Sequence, residues 1–218
     1  MTATRPSRWE RRPDERPQEL LDAAFQVFAR HGYRATRLEQ VAEAAGVTKG
    51  TIYYYFKGKD DLFRQAIELH RQRTGAHLDE LMARVDGPLP VKLRTGLREA
   101  WRGISGPSGA LLRLMIGEVS IEAPELFRAW LSDVLTQGCG ELAGAIREGQ
   151  ASGDFRRDAD ADVAARMFIS GVLMEAMMQH HGFGDADPLP LERRIASGVE
   201  LMLHSLGYDV ALAAAEAR

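Results

Sequence analysis

Cysteine is nearly absent from this chain: Cys139 is the only one in 218 residues. A single cysteine excludes an intramolecular disulfide and a cysteine-rich zinc site. The chain also lacks a run of 18 apolar residues, and its charged, proline-broken start has no apolar segment of the kind found in signal peptides. We therefore expect a cytoplasmic protein with no membrane partner.

Motifs of catalysis and metal binding are also missing. The sequence contains no G-x-S-x-G and no phosphate-binding loop. Asp158, Asp160 and Asp162 resemble the start of a calcium loop, but the sixth position lacks glycine and the twelfth is Ile169 instead of glutamate. These acids are better interpreted as favouring a helix N-terminus. No metal and no cofactor are predicted.

Lysine is scarce and concentrated in one stretch. Three of the four lysines, Lys49, Lys57 and Lys59, fall between positions 49 and 59. The net charge is -3, yet residues 1–64 hold 12 Lys and Arg against 9 Asp and Glu, while the remainder holds 16 against 22. A nucleic-acid contact is therefore expected in the first third, where it would depend on a few placed groups rather than on a broad basic patch.

The first third predicts three helices. A helix from Pro17 to Gly32 would carry an apolar face that includes Leu21, Ala24 and Phe28. A second helix would start at Thr36, which with Glu39 forms a T-x-x-E capping box.

The second helix should end at Gly46, a residue suited to a left-handed C-terminus. Thr48 would cap a short third helix from Lys49 to Tyr55, with Ile52 and Phe56 as inward anchors. Two helices joined by so tight a turn indicate a helix-turn-helix.

The outward face of the third helix has the chemistry of a DNA reader. Lys49 can neutralise phosphate or contact guanine, while Thr51 and the tyrosine hydroxyls can reach phosphates or base edges. A half-buried structural face is the alternative for the three tyrosines, and we expect it for one of them. Arg37 is either a DNA contact or a solvated arginine. The candidate DNA-binding residues are Thr36, Arg37, Thr48, Lys49, Gly50, Thr51, Tyr53, Tyr54, Tyr55 and Lys59.

This stretch resembles the TetR family of transcriptional repressors. The matching elements are Gly32-Tyr33, Thr36 with Val41-Ala42, the run AGVTKGTIYYYF at 45–56, and KDDLF at 59–63. Arg37 departs from the small hydroxyl residue that many relatives have there. The resemblance implies a three-helix DNA-binding domain followed by a helical domain that dimerises and binds a small molecule.

The remaining chain predicts only helices, so the expected fold class is all-α. We predict helices near 90–104, 109–121, 124–151, 160–181 and 189–206, separated by glycine and proline segments. The helix that starts at Lys59 should continue to about Met82 and enter the second domain. The predicted organisation is a basic arm at 1–16, the DNA-binding domain at 17–63, the ligand-binding and dimerisation domain at 64–207, and a tail at 208–218. The arm's arginines would either enter the minor groove or form a solvated tail.

The second domain has apolar residues for two roles. Self-pairing of the last two helices would cover residues such as Phe168, Met174 and Leu201, which indicates a homodimer. The candidate ligand-binding residues are Trp101, Leu114, Met115, Glu118, Phe127, Trp130, Leu131, Met167 and Met174. A filled core is the alternative for each of them.

These features predict a homodimeric DNA-binding repressor that a small-molecule effector releases from its operator. One rival is a dimer that binds DNA without any effector. The other is a helical enzyme, for which Glu118, Glu122, His180 and His181 are the only candidate groups.

Overall fold

A computed structural model describes residues 16–103, 108–183 and 187–208, and these residues form helices and connecting turns without a strand. The all-α prediction is confirmed. The helices are α1 Arg16–Ala35, α2 Leu38–Ala45, α3 Lys49–Tyr55, α4 Lys59–Ala83, α5 Leu89–Arg102, α6 Ser108–Leu114, α7 Ser120–Glu122, α8 Pro124–Asp133, α9 Cys139–Ser152, α10 Ala161–His180 and α11 Leu191–Ser205. Five-residue π-helical turns, Met115–Val119 and Val134–Gly138, join α6 to α7 and α8 to α9.

The chain divides into two compact units, Met1–Arg71 and Gln72–Arg218. The division falls inside α4, the helix that was expected to run from one domain into the next. The predicted arm at 1–16 and tail at 208–218 lie outside the described residues, apart from Arg16 and Tyr208.

The first unit is organised around aromatic side chains from α1 and α4. Phe28 and Phe63 are fully buried, and their rings meet edge to face with centroids 4.7 Å apart. Tyr33 packs on Phe63 at 5.0 Å and donates its hydroxyl hydrogen to Asp60 over 2.5 Å. This cluster fixes the start of α4 against the end of α1.

The start of α2 differs from the prediction. Thr36 is buried and its hydroxyl donates to the carbonyl of Gly32 over 2.6 Å, at the point where the α1 backbone turns away from helical geometry (φ 81°, ψ 167°). Arg37 is the N-cap residue instead, and its backbone N–H donates to the Gln40 side chain over 2.8 Å. The predicted Thr36–Glu39 capping box is therefore wrong, because the Gly32 carbonyl takes the hydroxyl and the helix starts one residue later.

In the second unit the observed helices follow the predicted segments closely. The core is formed by inward faces of α5, α9, α10 and α11, and includes the fully buried Ile146, Ala165, Ile195 and Leu203. The two π-helical turns interrupt segments that were predicted as continuous helices. A π turn adds a residue to the helical repeat and so rotates the face that follows it.

Charged side chains hold α11 to its neighbours. Glu175 of α10 is buried and accepts two hydrogen bonds from Arg194, at 2.7 and 2.9 Å. Arg98 of α5 donates to Glu200 over 2.6 Å. These ion pairs cross between helices, so they fix the position of α11 relative to α5 and α10.

Candidate nucleic-acid interface

The helix-turn-helix forms as the sequence predicts. Gly46 adopts the left-handed conformation (φ 66°, ψ 37°) and ends α2, and the N–H of Val47 donates to the Ala42 carbonyl over 2.9 Å. Thr48 caps α3 by accepting a hydrogen bond from the Thr51 N–H at 3.3 Å. This geometry presents α3 at a fixed angle to α2.

Two side chains anchor α3 to the unit. Ile52 is fully buried and Phe56, which ends the helix, is 2% exposed. Tyr55 is half-buried and lies between the rings of Tyr54 and Phe56. Of the three tyrosines of α3, Tyr55 therefore has the half-buried structural position that we expected for one of them.

The opposite face of α3 is open. Tyr54 is 81% exposed and Tyr53 is 53% exposed, although large aromatic side chains usually bury most of their surface. Lys49 and Gly50 are also exposed. The structure therefore brings Lys49, Gly50, Tyr53 and Tyr54 together on one accessible surface, with the hydroxyls of Thr48 and Thr51 hydrogen-bonded to each other at its edge.

Lys49 has a partner on α2. Its ammonium lies 2.5 Å from the Glu39 carboxylate and 5.6 Å from the centre of the Tyr53 ring. The hydrogen bond from Lys49 is the main cause that lowers the pKa of Glu39, and the same bond raises the pKa of Lys49. Because both side chains are exposed, solvent screens this pair and we assign it little stability.

Sequence reasoning missed the role of Glu39, which it placed in a capping box. The two partners lie on different helices, so no helical spacing could have paired them. The available signal was an acidic residue at the start of α2 facing a surface that otherwise carries basic and hydroxyl groups.

Lys59, one of the candidate DNA-binding residues, is bonded within the first unit. Its ammonium donates to the carbonyls of Tyr33 at 2.8 Å and of Arg34 and Thr36 at 3.4 Å, and it lies 4.4 Å from the centre of the Tyr33 ring. Lys59 thus satisfies carbonyls at the end of α1. Thr36 is likewise buried in the first unit, with its hydroxyl bonded to the Gly32 carbonyl. Arg37, in contrast, is exposed.

The predicted ligand-binding residues do not share one environment in the second unit. Trp101, Leu114 and Met115 are buried, and Glu118, Phe127, Trp130 and Leu131 are half-buried. Met167 and Met174 lie on the exposed face of α10, with Met167 68% exposed. The buried face of α10 includes Ala165, Phe168 and Ala176, and the two methionines lie outside that face.

An open groove of about 520 Å³ lies between α10 and α11. Its lining includes Val163, Met167, Leu201, Met202 and Trp101. Leu201 is 74% exposed. The floor is formed by the Trp101 ring, which reaches it because Gly171 and Gly198 lack side chains: a Cβ at Gly198 would come within 2.7 Å of the indole.

Comparison with known proteins agrees with this geometry. Residues 20–66 match the model described as bacterial regulatory proteins, tetR family, and residues 86–189 match the tetracyclin repressor-like C-terminal domain. The chain is 31% identical to the transcriptional regulator AcuR of Cereibacter sphaeroides over 71% of each protein. The chain belongs to the TetR family. Members of this family are DNA-binding transcriptional regulators, and this protein is one of them.

Other relatives cover different shares of the chain. The protein is 25% identical to the fatty acid metabolism regulator protein of Bacillus subtilis over 71% of this chain and 78% of that one. Its similarity to the regulator AcrR of Shigella flexneri, 42% over 78 residues, spans only 36% of that protein.

Solved structures of TetR-like regulators share the fold. A TetR-family regulator from Rhodococcus sp. superposes with a TM-score of 0.74 at 22% identity, covering 88% of this chain and 99% of that one. The regulator FadR of Bacillus subtilis, solved with stearoyl-CoA, gives 0.68 at 24% identity, covering 86% and 98%. Within the described ranges, no helix combines the length and hydrophobicity that crossing a bilayer requires.

Proposed function

We propose that this protein is a homodimeric, cytoplasmic repressor that reads its operator with α3 and is released by a small-molecule effector. The observation that carries the proposal is the exposure of Tyr53 and Tyr54 on a helix that Ile52 anchors rigidly from the opposite side. Aromatic side chains held in this way can contact thymine methyl groups, and their hydroxyls can reach base edges or phosphates.

The residues proposed to contact bases are Lys49, Gly50, Thr51, Tyr53 and Tyr54, with Arg37, Thr48 and Tyr55 at the flanking phosphates. Lys57, which is exposed beside the start of α4, is a better candidate for a phosphate than Lys59. Thr36 is better interpreted as a structural residue, since its hydroxyl is buried and bonded to Gly32.

Dimerisation is proposed to occur through α10 and α11. The support is a strip of exposed apolar side chains on the two helices, in which Val163, Met167 and Leu201 line the groove and Met174 lies two helical turns beyond Met167. Phe168, which was expected in the interface, is instead buried in the core of its own protomer. A second copy seated on this strip would remove it from water. To read two half-sites one turn of DNA apart, the dimer must present its two α3 helices roughly 34 Å apart.

The effector is proposed to bind in the second unit near Trp101, Leu114 and Met115. A bound effector that prefers a dimer with a different spacing of its α3 helices would shift the population toward that dimer and weaken DNA binding. Stearoyl-CoA is the first probe, because a solved TetR-like relative carries it. Release of DNA by stearoyl-CoA and not by free coenzyme A would assign the effector to the acyl thioesters. Unchanged DNA affinity would exclude stearoyl-CoA as the effector.

The DNA-reading role is tested by selecting binding sites from a random duplex library. We expect the full-length protein to enrich a two-fold symmetric site and to bind it at least a thousandfold more tightly than random duplex. Enrichment of no sequence would contradict operator recognition. A site whose affinity responds to no small molecule in a broad panel would favour an effector-independent DNA-binding dimer.

The substitution Tyr54→Ala sharpens this test at one residue. Because Tyr54 is 81% exposed, we expect its removal to leave the unfolding free energy within about 0.5 kcal/mol of that of the native protein. Operator binding should weaken by about 1–3 kcal/mol, with less preference between operator and random duplex. The matched control is Phe183→Ala, because Phe183 is an aromatic residue of the second unit that is 61% exposed. Equal losses on operator and random duplex would contradict base recognition by Tyr54.

A further inference from the structure

The pairing of Lys49 with Glu39 places a negative charge on the surface that is proposed to meet DNA. The carboxylate lies 2.5 Å from the only lysine of α3, and both side chains are exposed on that surface. Glu39 also belongs to the first turn of α2, which favours an acidic residue but does not require one at this position. A carboxylate that close to a DNA-contacting lysine must change what the lysine can bind.

On DNA of arbitrary sequence this pair is unfavourable. Lys49 would exchange one anionic partner, the carboxylate, for another, a phosphate, and would gain little from the exchange. Glu39 would lose its cation and face the phosphate charges, which repel it. The pair therefore reduces the attraction that drives sequence-independent binding.

At one kind of base pair the same two groups are complementary. The major-groove edge of a G·C pair presents the O6 and N7 acceptors of guanine beside the N4 amino donor of cytosine. Lysine donates to the guanine acceptors and glutamate accepts from the cytosine amino group. Lys49 and Glu39 offer one donor and one acceptor side by side, so both remain satisfied when they meet this edge.

We propose that Glu39 is a specificity-determining residue: with Lys49 it reads a G·C pair in each half of the operator, and it suppresses binding to other DNA. The Tyr53 ring, 5.6 Å from the ammonium, limits the directions that Lys49 can take. This proposal rests on the proposed DNA-reading role of α3.

The test compares Glu39→Gln with Glu43→Gln in full-length protein. Both positions are exposed residues of α2 and both changes remove one negative charge, but Lys49 is bonded to Glu39. On random duplex we expect Glu39→Gln to bind on the order of tenfold more tightly and to steepen the salt dependence by about one unit per protomer. Glu43→Gln should change neither quantity by more than about twofold. Thermal melting of each variant verifies that the fold is intact.

Selection from the random duplex library gives the second readout. The native protein should enrich sites with one fixed G·C pair in each half. The Glu39→Ala protein should lose the sequence preference at that pair and retain the preferences at the other positions of the site. Enrichment of the same G·C pair by Glu39→Ala, together with unchanged random-duplex affinity of Glu39→Gln, would overturn the role of Glu39. Failure of the native protein to enrich any site would instead overturn the proposed function itself.

Discussion

At the scale of single residues, the structure assigns different roles to three lysines that are close in sequence. The Lys49 ammonium is paired with Glu39 across the helix-turn-helix. The Lys59 ammonium lies over the Tyr33 ring and bonds to carbonyls at the end of α1. Lys57 is exposed. The three lysines therefore have three different environments within one short stretch: an ion pair between helices, a set of backbone carbonyls, and solvent.

Replacement of Lys59 tests its structural role. Lys59→Ala leaves the carbonyls of Tyr33, Arg34 and Thr36 without their shared donor, and we expect the unfolding free energy to fall by about 1–2 kcal/mol in urea unfolding. Lys57→Ala is the control and should stay within about 0.5 kcal/mol, while it weakens binding to all DNA sequences alike. If Lys59→Ala kept full stability and lost DNA affinity, Lys59 would be a phosphate contact after all.

At the scale of elements, the start of α4 depends on one carboxylate. Asp61 accepts hydrogen bonds from the backbone N–H of Lys57 at 3.0 Å, from Gln65 at 3.0 Å and from Arg64 at 2.9 Å. The bond from the Lys57 N–H is the main cause that lowers the pKa of Asp61. The carboxylate thus fixes the loop between α3 and α4, and with it the end of α3.

This arrangement predicts a pH-dependent loss of stability. A carboxyl whose pKa is lower in the folded than in the unfolded chain stabilises the fold above the unfolded pKa, about 4, and the contribution is lost as the pH falls through the folded pKa. Asp61→Ala should cost roughly 0.5–2 kcal/mol at pH 7, and the difference from the native protein should shrink at pH 3. Asp79→Ala, on the exposed face of the same helix, is the control. A difference that stayed the same at pH 3 would show that the charge of Asp61 is not involved.

At the scale of the whole molecule, charge and exposed apolar surface are separated along the chain. The basic excess lies in residues 1–64, and the acidic excess lies in the rest. The exposed apolar strip of α10 and α11 belongs to the acidic part, where Glu175 and Arg194 hold the two helices together. DNA binding by a modestly basic unit would gain its affinity from two copies held by this strip.

A charge placed on the strip tests the dimer. Leu201→Glu introduces a carboxylate at a position that is 74% exposed in the protomer, and we expect a folded monomer that binds operator DNA at least tenfold more weakly. Ile121→Glu is the matched control, because Ile121 of α7 is 78% exposed but lies outside the groove. Sedimentation velocity gives the oligomeric state and circular dichroism the helical content. A Leu201→Glu protein that remained dimeric would place the interface elsewhere.

The sequence by itself determined the helices, the turn of the helix-turn-helix and the inward anchors Ile52 and Phe56. These features depend on apolar periodicity and on capping by Gly46 and Thr48, which act over a few neighbouring residues. The positions of Ile52 and Phe56 also determined which face of α3 is open, because two inward residues on one side of a short helix leave the opposite side to solvent.

Only the tertiary structure decided which partners Lys49 and Lys59 have and which apolar side chains leave the core. Lys59 meets the end of α1 and Lys49 meets Glu39 because separate helices approach each other. Met167 is exposed because α10 packs Ala165 and Phe168 into the core instead. The physical reason is that the periodicity of apolar residues defines the inward face of a helix from its own sequence. Which other helix packs on that face depends on contacts between elements that are distant in sequence.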